Sequence, residues 1–494
     1  MAQPSIRRTS LTTLSAAAII VVAAAAALYL LKLISPQNSA DRPNVLWITM
    51  DSCRYDHLGC FGYDRAHTPN IDRIAAQGAA FSQAIAQASA TRYSVPSMVT
   101  GRYPLRVPSR TFAFKPPREH ITVAEGLGAL KYRSCVITDE HPVMHAARGF
   151  EQVLRVQKGP AARTRACLET IDRFKEDPFF IWLYYWDPHI PYTPPDRFRS
   201  VFEPTAPVQS DPPEQHPTIS SQTKRPIRDQ NGILKSDLVV MKRINFLRDV
   251  VPSDLDRQHF IDLYDAEIAY VDEQIGRVIE KLKEEDLWDN TLVLLTADHG
   301  ESFGEHERYY HGVNLFDEVI RVPLIVKPPQ PLDRGRYVDG LVRNVDIMPT
   351  ILDVCGVSPP RGIDGASLQP FWEDAGQAVF PDGAYSEIYY QEGGFREHFQ
   401  MSFRSEQYKL IYDMLQGTAQ LYHLRNDPGE QRNLLAANPE GPTDPAAENL
   451  EKEVRADFLA HLGLENLEAL AGKKLTRRMD QETREQLRAL GYIE

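Results

Sequence analysis

Cysteine is scarce in this chain. Its 494 residues hold five, Cys53, Cys60, Cys135, Cys167 and Cys355, an odd number spread widely. That spacing excludes a disulfide framework and the paired ligands of a structural zinc site, so the thiols read as small buried hydrophobes. A basic excess is lacking too. Lys and Arg number 55 against 67 Asp and Glu, a net charge of −12. Nucleic-acid partners call for a basic face, so none is expected. An anionic substrate would then need a cation held within the site. Internal repeats are absent, and oligomeric state leaves no mark on the sequence.

One apolar run stands out. Leu11 to Ile34 is almost wholly apolar, broken only by small polar residues at Thr12, Thr13 and Ser15 and by Lys32 near its end. A helix crossing a bilayer needs about 20 such residues. Arg7 and Arg8 precede the run, and the positive-inside rule puts the N-terminus in the cytoplasm and the chain beyond residue 36 outside. A cleaved signal peptide is the rival reading, although its apolar region is usually about 7–15 residues long. Both readings export the rest. The expectation is a single-pass cell-membrane protein whose bulk is periplasmic or extracellular.

Past the linker, Asn44–Met50 is a continuous apolar run ending at Asp51. Phe179–Tyr185 and Thr291–Thr296 repeat that design, with Asp187 and Asp298 just beyond them. Helix-like segments lie between, at 71–80 and at 256–285, the second with apolar residues at helical spacing from Ile261 to Leu282. Buried strands alternating with helices predict an α/β fold around a mostly parallel sheet. Ligands bind such sheets beyond the carboxyl ends of the strands, where the three aspartates fall. Residues 204–237, rich in Pro, Gln, Ser and Asp, read as an insertion loop. From about residue 376 the character changes. Tyr408–Tyr412 and Gln420–Leu424 read as short strands of a small antiparallel subdomain, followed by a charged helical tail. The predicted organisation is therefore 1–42 as stub, anchor and linker, 43–375 as the α/β domain, and 376–494 as subdomain and tail.

Asp298-His299-Gly300-Glu301 follows a buried strand, as Asp51 does. Two carboxylates and an imidazole from two strand ends make a plausible divalent-cation shell. Three protein ligands leave positions open for substrate and for a hydroxyl. That hydroxyl is sought in the segment Gln87–Gly101, where Pro96 and Gly101 bracket a short helix. Thr91 and Ser94 are both candidates, since an anion at a helix N-terminus is favoured by the dipole and the free amides.

The ordered set of motifs resembles the sulfatase family of the alkaline phosphatase superfamily. It comprises Asn44–Asp51, Arg54–Gly59, Thr68–Asp72, Thr100-Gly-Arg-Tyr-Pro104, Asp187-Pro-His-Ile-Pro-Tyr192, Thr296–Glu301, His311-Gly312, Arg321–Leu324, Asp346–Thr350, Gly365–Leu368, Leu421–Leu424 and Asn426–Leu434. The match runs from about residue 43 to 435. It implies an alkaline-phosphatase-like fold, an ester hydrolase or phosphoryl transferase, and one divalent metal ion (Mn, Zn or Ca). The implied metal ligands are Asp51, Thr91, Asp298 and His299, with His189 and His311 as substrate contacts or proton donors. Arg92, beside Thr91, joins them as a substrate contact.

Two departures bear on the chemistry. Authentic sulfatases begin their active-site helix with a residue oxidised to formylglycine, then any residue, Pro, any residue, Arg. The equivalent positions here are Thr91, Tyr93 and Val95; Ser94-Val-Pro-Ser97 imitates the motif one turn later without its Arg. Ser52 stands where a second metal-binding Asp is usual. Together these resemble the superfamily's threonine-nucleophile transferases. The expected substrate is a small anionic ester, a glycan or a lipid headgroup. The rival readings are a true arylsulfatase-type enzyme and an inactive, membrane-tethered binder of anions or glycans.

Overall fold

The computed structural model describes residues 42–104, 116, 118–139, 141–157, 159–202, 254–373, 378–392, 396–436 and 445–462. The apolar run at 11–34, the insertion at 204–237 and the tail past 462 lie outside the described residues. Among those described, no helix is long and apolar enough to cross a membrane. The described residues from Pro43 onward form one compact unit.

The central sheet is built from β1 (Asn44–Met50), β2 (Ala79–Ile85), β3 (Arg133–Thr138), β4 (Gln152–Arg155), β5 (Phe179–Tyr185), β6 (Thr291–Thr296), β9 (Arg321–Lys327) and β10 (Arg336–Arg343). A two-stranded ribbon, β7 (Ser302–Phe303) with β8 (Tyr309–Tyr310), lies between β6 and β9 in sequence. The strand order is β10-β2-β9-β6-β1-β5-β3-β4. β9 pairs antiparallel with both neighbours and every other pairing is parallel. The sheet is thus mixed by a single reversed strand. β1, β5 and β6 are buried along their whole lengths, as a continuous apolar run demands when helices cover both faces. Trp47 and Trp182 stack across β1 and β5 with ring centroids 4.5 Å apart.

The helices include α1 (Pro69–Ala76), α2 (Thr91–Thr100), α3 (Pro160–Phe174) and α4 (Asp254–Glu284). The apolar stripe of α4, from Tyr264 to Leu282, is buried. The segment expected to be helical to residue 80 stops at Ala76, and Ala79 instead opens β2. Gly78 permits that switch, because a Cβ there would lie 2.3 Å from the Val326 carbonyl oxygen of β9. Pro96 lies in the middle of α2 rather than at its start. Its missing N–H removes the hydrogen bond that the Arg92 carbonyl would otherwise accept.

The C-terminal sheet is an antiparallel meander of β11 (Ala384–Glu392), β12 (Arg396–Arg404), β13 (Tyr408–Asp413) and β14 (Thr418–His423). It is fastened to the large domain through charge. Arg404 and Lys409 both pair with Asp317, just before β9, and Lys409 also pairs with Glu430.

Candidate active site

Strand register brings the two key carboxylates together. β1 and β6 are parallel neighbours with Thr49 opposite Thr296. Asp51 and Asp298, two residues further along each strand, therefore leave the sheet side by side. Both are fully buried, as is His299. One ligand atom from each lies within 4.8 Å of the others, so the trio could hold a metal ion. His299 Nε2 stands 3.6 Å from Asp51 Oδ1 and 3.5 Å from Asp298 Oδ2. Its Nδ1 lies 3.0 Å from the Gly300 carbonyl oxygen. The Nδ1 proton thus has an acceptor, and the Nε2 lone pair is left aimed at the carboxylates, the usual arrangement for a ligating imidazole.

Thr91 opens α2, and its Oγ1 lies 3.2 Å from His299 Nε2. The hydroxyl therefore reaches the same nest. Ser94, three residues on, is occupied elsewhere: its Oγ donates to the Asp298 carbonyl oxygen at 2.5 Å. Donors about 2.1 Å from a cation stand roughly 3.0–3.5 Å from one another by simple geometry. The separations around His299 Nε2 fall in or close to that range. The donor set of two carboxylates, an imidazole and a hydroxyl fits a small divalent ion.

Two further histidines border the nest. The ring of His311 lies 4.3 Å from that of His299 and 4.7 Å from that of His189, centroid to centroid. His311 Nδ1 is 2.9 Å from Glu301 Oε1 and 3.5 Å from Ser52 Oγ. His189 follows β5, stacks on Trp186, and has its Nδ1 2.6 Å from the Ile190 carbonyl oxygen. Its buried Nε2 has no hydrogen-bond partner among the described residues. Burial, with a neighbouring imidazole adding to it, holds both His189 and His311 well below the ordinary histidine range. Arg92 turns toward the C-terminal sheet, donating to the Tyr389 carbonyl oxygen at 3.1 Å. Its charge still reaches His311 and helps depress it.

Three residues not singled out by sequence reasoning complete the site. Glu301 accepts from Tyr192 Oη at 3.0 Å while it faces His311, and burial pushes its carboxyl up to about 8. Tyr184 of β5 places its hydroxyl 2.8 Å from Asp51 Oδ2 and 3.0 Å from Asp298 Oδ2. Arg163 of α3, almost fully buried, pairs with Asp139 and Asp187 beneath the loop that carries His189. Arg54 pairs with Asp56 and also donates to Glu305 and to the Glu301 carbonyl oxygen.

A family model described as Sulfatase matches residues 43–357, and another, described as N-sulphoglucosamine sulphohydrolase, C-terminal, matches residues 304–489. The N-acetylglucosamine-6-O-sulfatase of Bacteroides thetaiotaomicron is 25% identical over 484 residues, covering 83% of this chain and 85% of that protein. Solved structures share the fold. One, a protein in complex with its substrate D-glucosamine-2-N,6-O-disulfate, aligns at a TM-score of 0.69 and 22% identity, covering 85% of this chain and 97% of that one. The phosphonate monoester hydrolase of Agrobacterium radiobacter aligns at a TM-score of 0.66 and 21% identity, covering 86% and 96%.

Proposed function

The chain belongs to the sulfatase family of the alkaline phosphatase superfamily, and from that membership we propose a metal-dependent hydrolase or transferase of anionic esters with Thr91 as nucleophile. The observation that carries this reading is the placement of Thr91 Oγ1 beside His299 Nε2, within the nest of Asp51 and Asp298, while Ser94 donates its proton to a backbone carbonyl. Asp51, Asp298, His299 and Thr91 would hold the cation. When bound, a divalent ion polarises the ester and makes a nearby hydroxyl more acidic. Only two carboxylates with an imidazole among the donors lean toward manganese or zinc rather than calcium, which takes more oxygen ligands.

The protein's own groups do the rest. Thr91, its hydroxyl proton given up to solvent, attacks sulfur or phosphorus in line through Oγ1, forming the threonyl ester as the bond to the leaving oxygen breaks. His311, held through Nδ1 by Glu301, gives the leaving oxygen the proton that this pair carries. The Arg92 charge, which reaches His311, favours an anion beside the nest. Water or an acceptor hydroxyl then attacks the threonyl ester, its proton passing back to the His311–Glu301 pair as the bond to Thr91 Oγ1 breaks. That release step is accessible at phosphorus, so a threonine nucleophile weighs toward a phosphoester. The sulfated sugars named for relatives make a sulfated glycan the other substrate class to test.

Thr91→Ala and Ser94→Ala, assayed side by side on aryl phosphates, phosphodiesters and aryl sulfates, test the assignment. Loss of turnover by at least about 100-fold in the Thr91 variant, with the Ser94 variant far less affected, is expected. Wild-type turnover by Thr91→Ala would remove it from the mechanism. The apolar run at 11–34, flanked by Arg7 and Arg8, supports a membrane-anchored enzyme facing away from the cytoplasm. Protease accessibility of the bulk of the chain in spheroplasts whose cytoplasmic membrane is intact is the expected result; protection there would contradict it.

A further inference from the structure

Tyr184 sits in the middle of the candidate cation site, yet its place in an apolar strand marks it as core. β5 pairs with β1 so that Tyr184 lies opposite Thr49, and residues opposite one another in a sheet point to the same face. Asp51 follows Thr49 by two, so it leaves on that face too. The phenol therefore reaches both carboxylates, touching Asp51 Oδ2 at 2.8 Å and Asp298 Oδ2 at 3.0 Å. Two buried carboxylates this close repel strongly unless something bridges them. A phenol carries one proton and can donate fully to one carboxylate at a time, so it couples the two without neutralising either.

The other side of the pair is held by Ser52. Its Oγ donates to Asp51 Oδ1 at 3.0 Å, and its backbone N–H approaches Asp298 Oδ1 at 3.4 Å. Ser52 adopts a left-handed backbone conformation, φ 60°, which is uncommon for a residue with a side chain. The two aspartates are thus clamped from opposite sides by neutral groups, and among the described residues no third carboxylate joins their cluster.

Building on the reading that this nest holds a cation, we propose that Tyr184 is its positioning residue. Its hydroxyl ties Asp51 and Asp298 together so that Asp51 Oδ1 and Asp298 Oδ2 converge with His299 Nε2 at the spacing of a small divalent ion. It does so without adding a negative charge to the pair. Partners that orient metal ligands typically change affinity about 10–100-fold when removed.

The test is metal binding rather than turnover. Chelator-stripped full chain is titrated with Mn²⁺ and with Zn²⁺ by calorimetry, for the wild type, Tyr184→Phe and Asp298→Asn. Circular dichroism of each apo form checks that it is folded. Tyr184→Phe removes one oxygen from a ring whose packing is kept. It is expected to weaken binding about tenfold or more. Unchanged affinity in Tyr184→Phe, with binding lost in Asp298→Asn, would overturn the role of Tyr184 and leave the site standing. Unchanged affinity in Asp298→Asn as well would remove the site itself.

Discussion

The hydroxyls of Thr91 and Ser94 lie one helical turn apart on α2, and their partners separate them: an imidazole nitrogen for one, a backbone carbonyl for the other. Sequence alone left both in play, because spacing along a helix says nothing of what its first turn meets. Asp51, Asp298 and His299 were legible because a carboxylate directly after a fully apolar strand must find a partner. Glu301 was quoted with them, but its contact with His311 spans a loop that no periodicity reveals. Its role makes a prediction. Glu301→Gln keeps the shape and removes the carboxylate that orients His311, so kcat should fall about 100-fold with KM little changed. Steady-state kinetics on an aryl ester would show this, and an unaltered kcat would detach Glu301 from catalysis.

Strands β1, β5 and β6 could be read residue for residue, since long apolar runs bounded by polar residues admit little else. β2 could not. Its Ala79-Ala-Phe-Ser-Gln-Ala-Ile85 carries a single β-branched residue, Ile85, at its far end, and Gly78 supplies the turn that ends α1 just before it. Gly78→Ala should therefore destabilise the fold by a few kcal/mol, since the new methyl meets backbone rather than a movable side chain. A wild-type urea midpoint would contradict the close approach. In β9, Lys327 is fully buried, donates to the Trp288 and Thr291 carbonyl oxygens, and sits over the Trp288 ring. Burial pushes its pKa down to about 7, with Asp289 opposing. The unfolded chain, with a lysine near 10.4, binds more protons between those values, so stability should rise with pH across that window. Denaturant midpoints of the wild type should accordingly gain on those of Lys327→Met from pH 7 to pH 10. Parallel profiles would mean that the carbonyls and the indole keep Lys327 fully charged.

The large domain and the C-terminal sheet are joined by buried charges that neither could hold alone. Burial opposes the ionised form of Asp317, but Arg404 and Lys409 outweigh it and hold the carboxyl well below the usual range. Asp317→Asn leaves Arg404 without its anion and Lys409 with Glu430 alone, and should cost about 3 kcal/mol near neutral pH. The loss should shrink as pH falls below about 4, where the wild-type carboxyl is protonated in the unfolded chain. Equal urea midpoints at pH 7 would refute the fastening. This junction was invisible in the sequence, because Asp317 meets Arg404 and Lys409 across nearly a hundred residues. The same joining of distant segments makes the nest of Asp51, Thr91, Asp298 and His299, and a crystal structure of the protein with Mn²⁺ and vanadate tests it most directly. Anomalous density bounded by those four side chains, with vanadium in line with Thr91 Oγ1, is the predicted result. Vanadium in line with Ser94, or a cation bound away from Asp51 and Asp298, would contradict it.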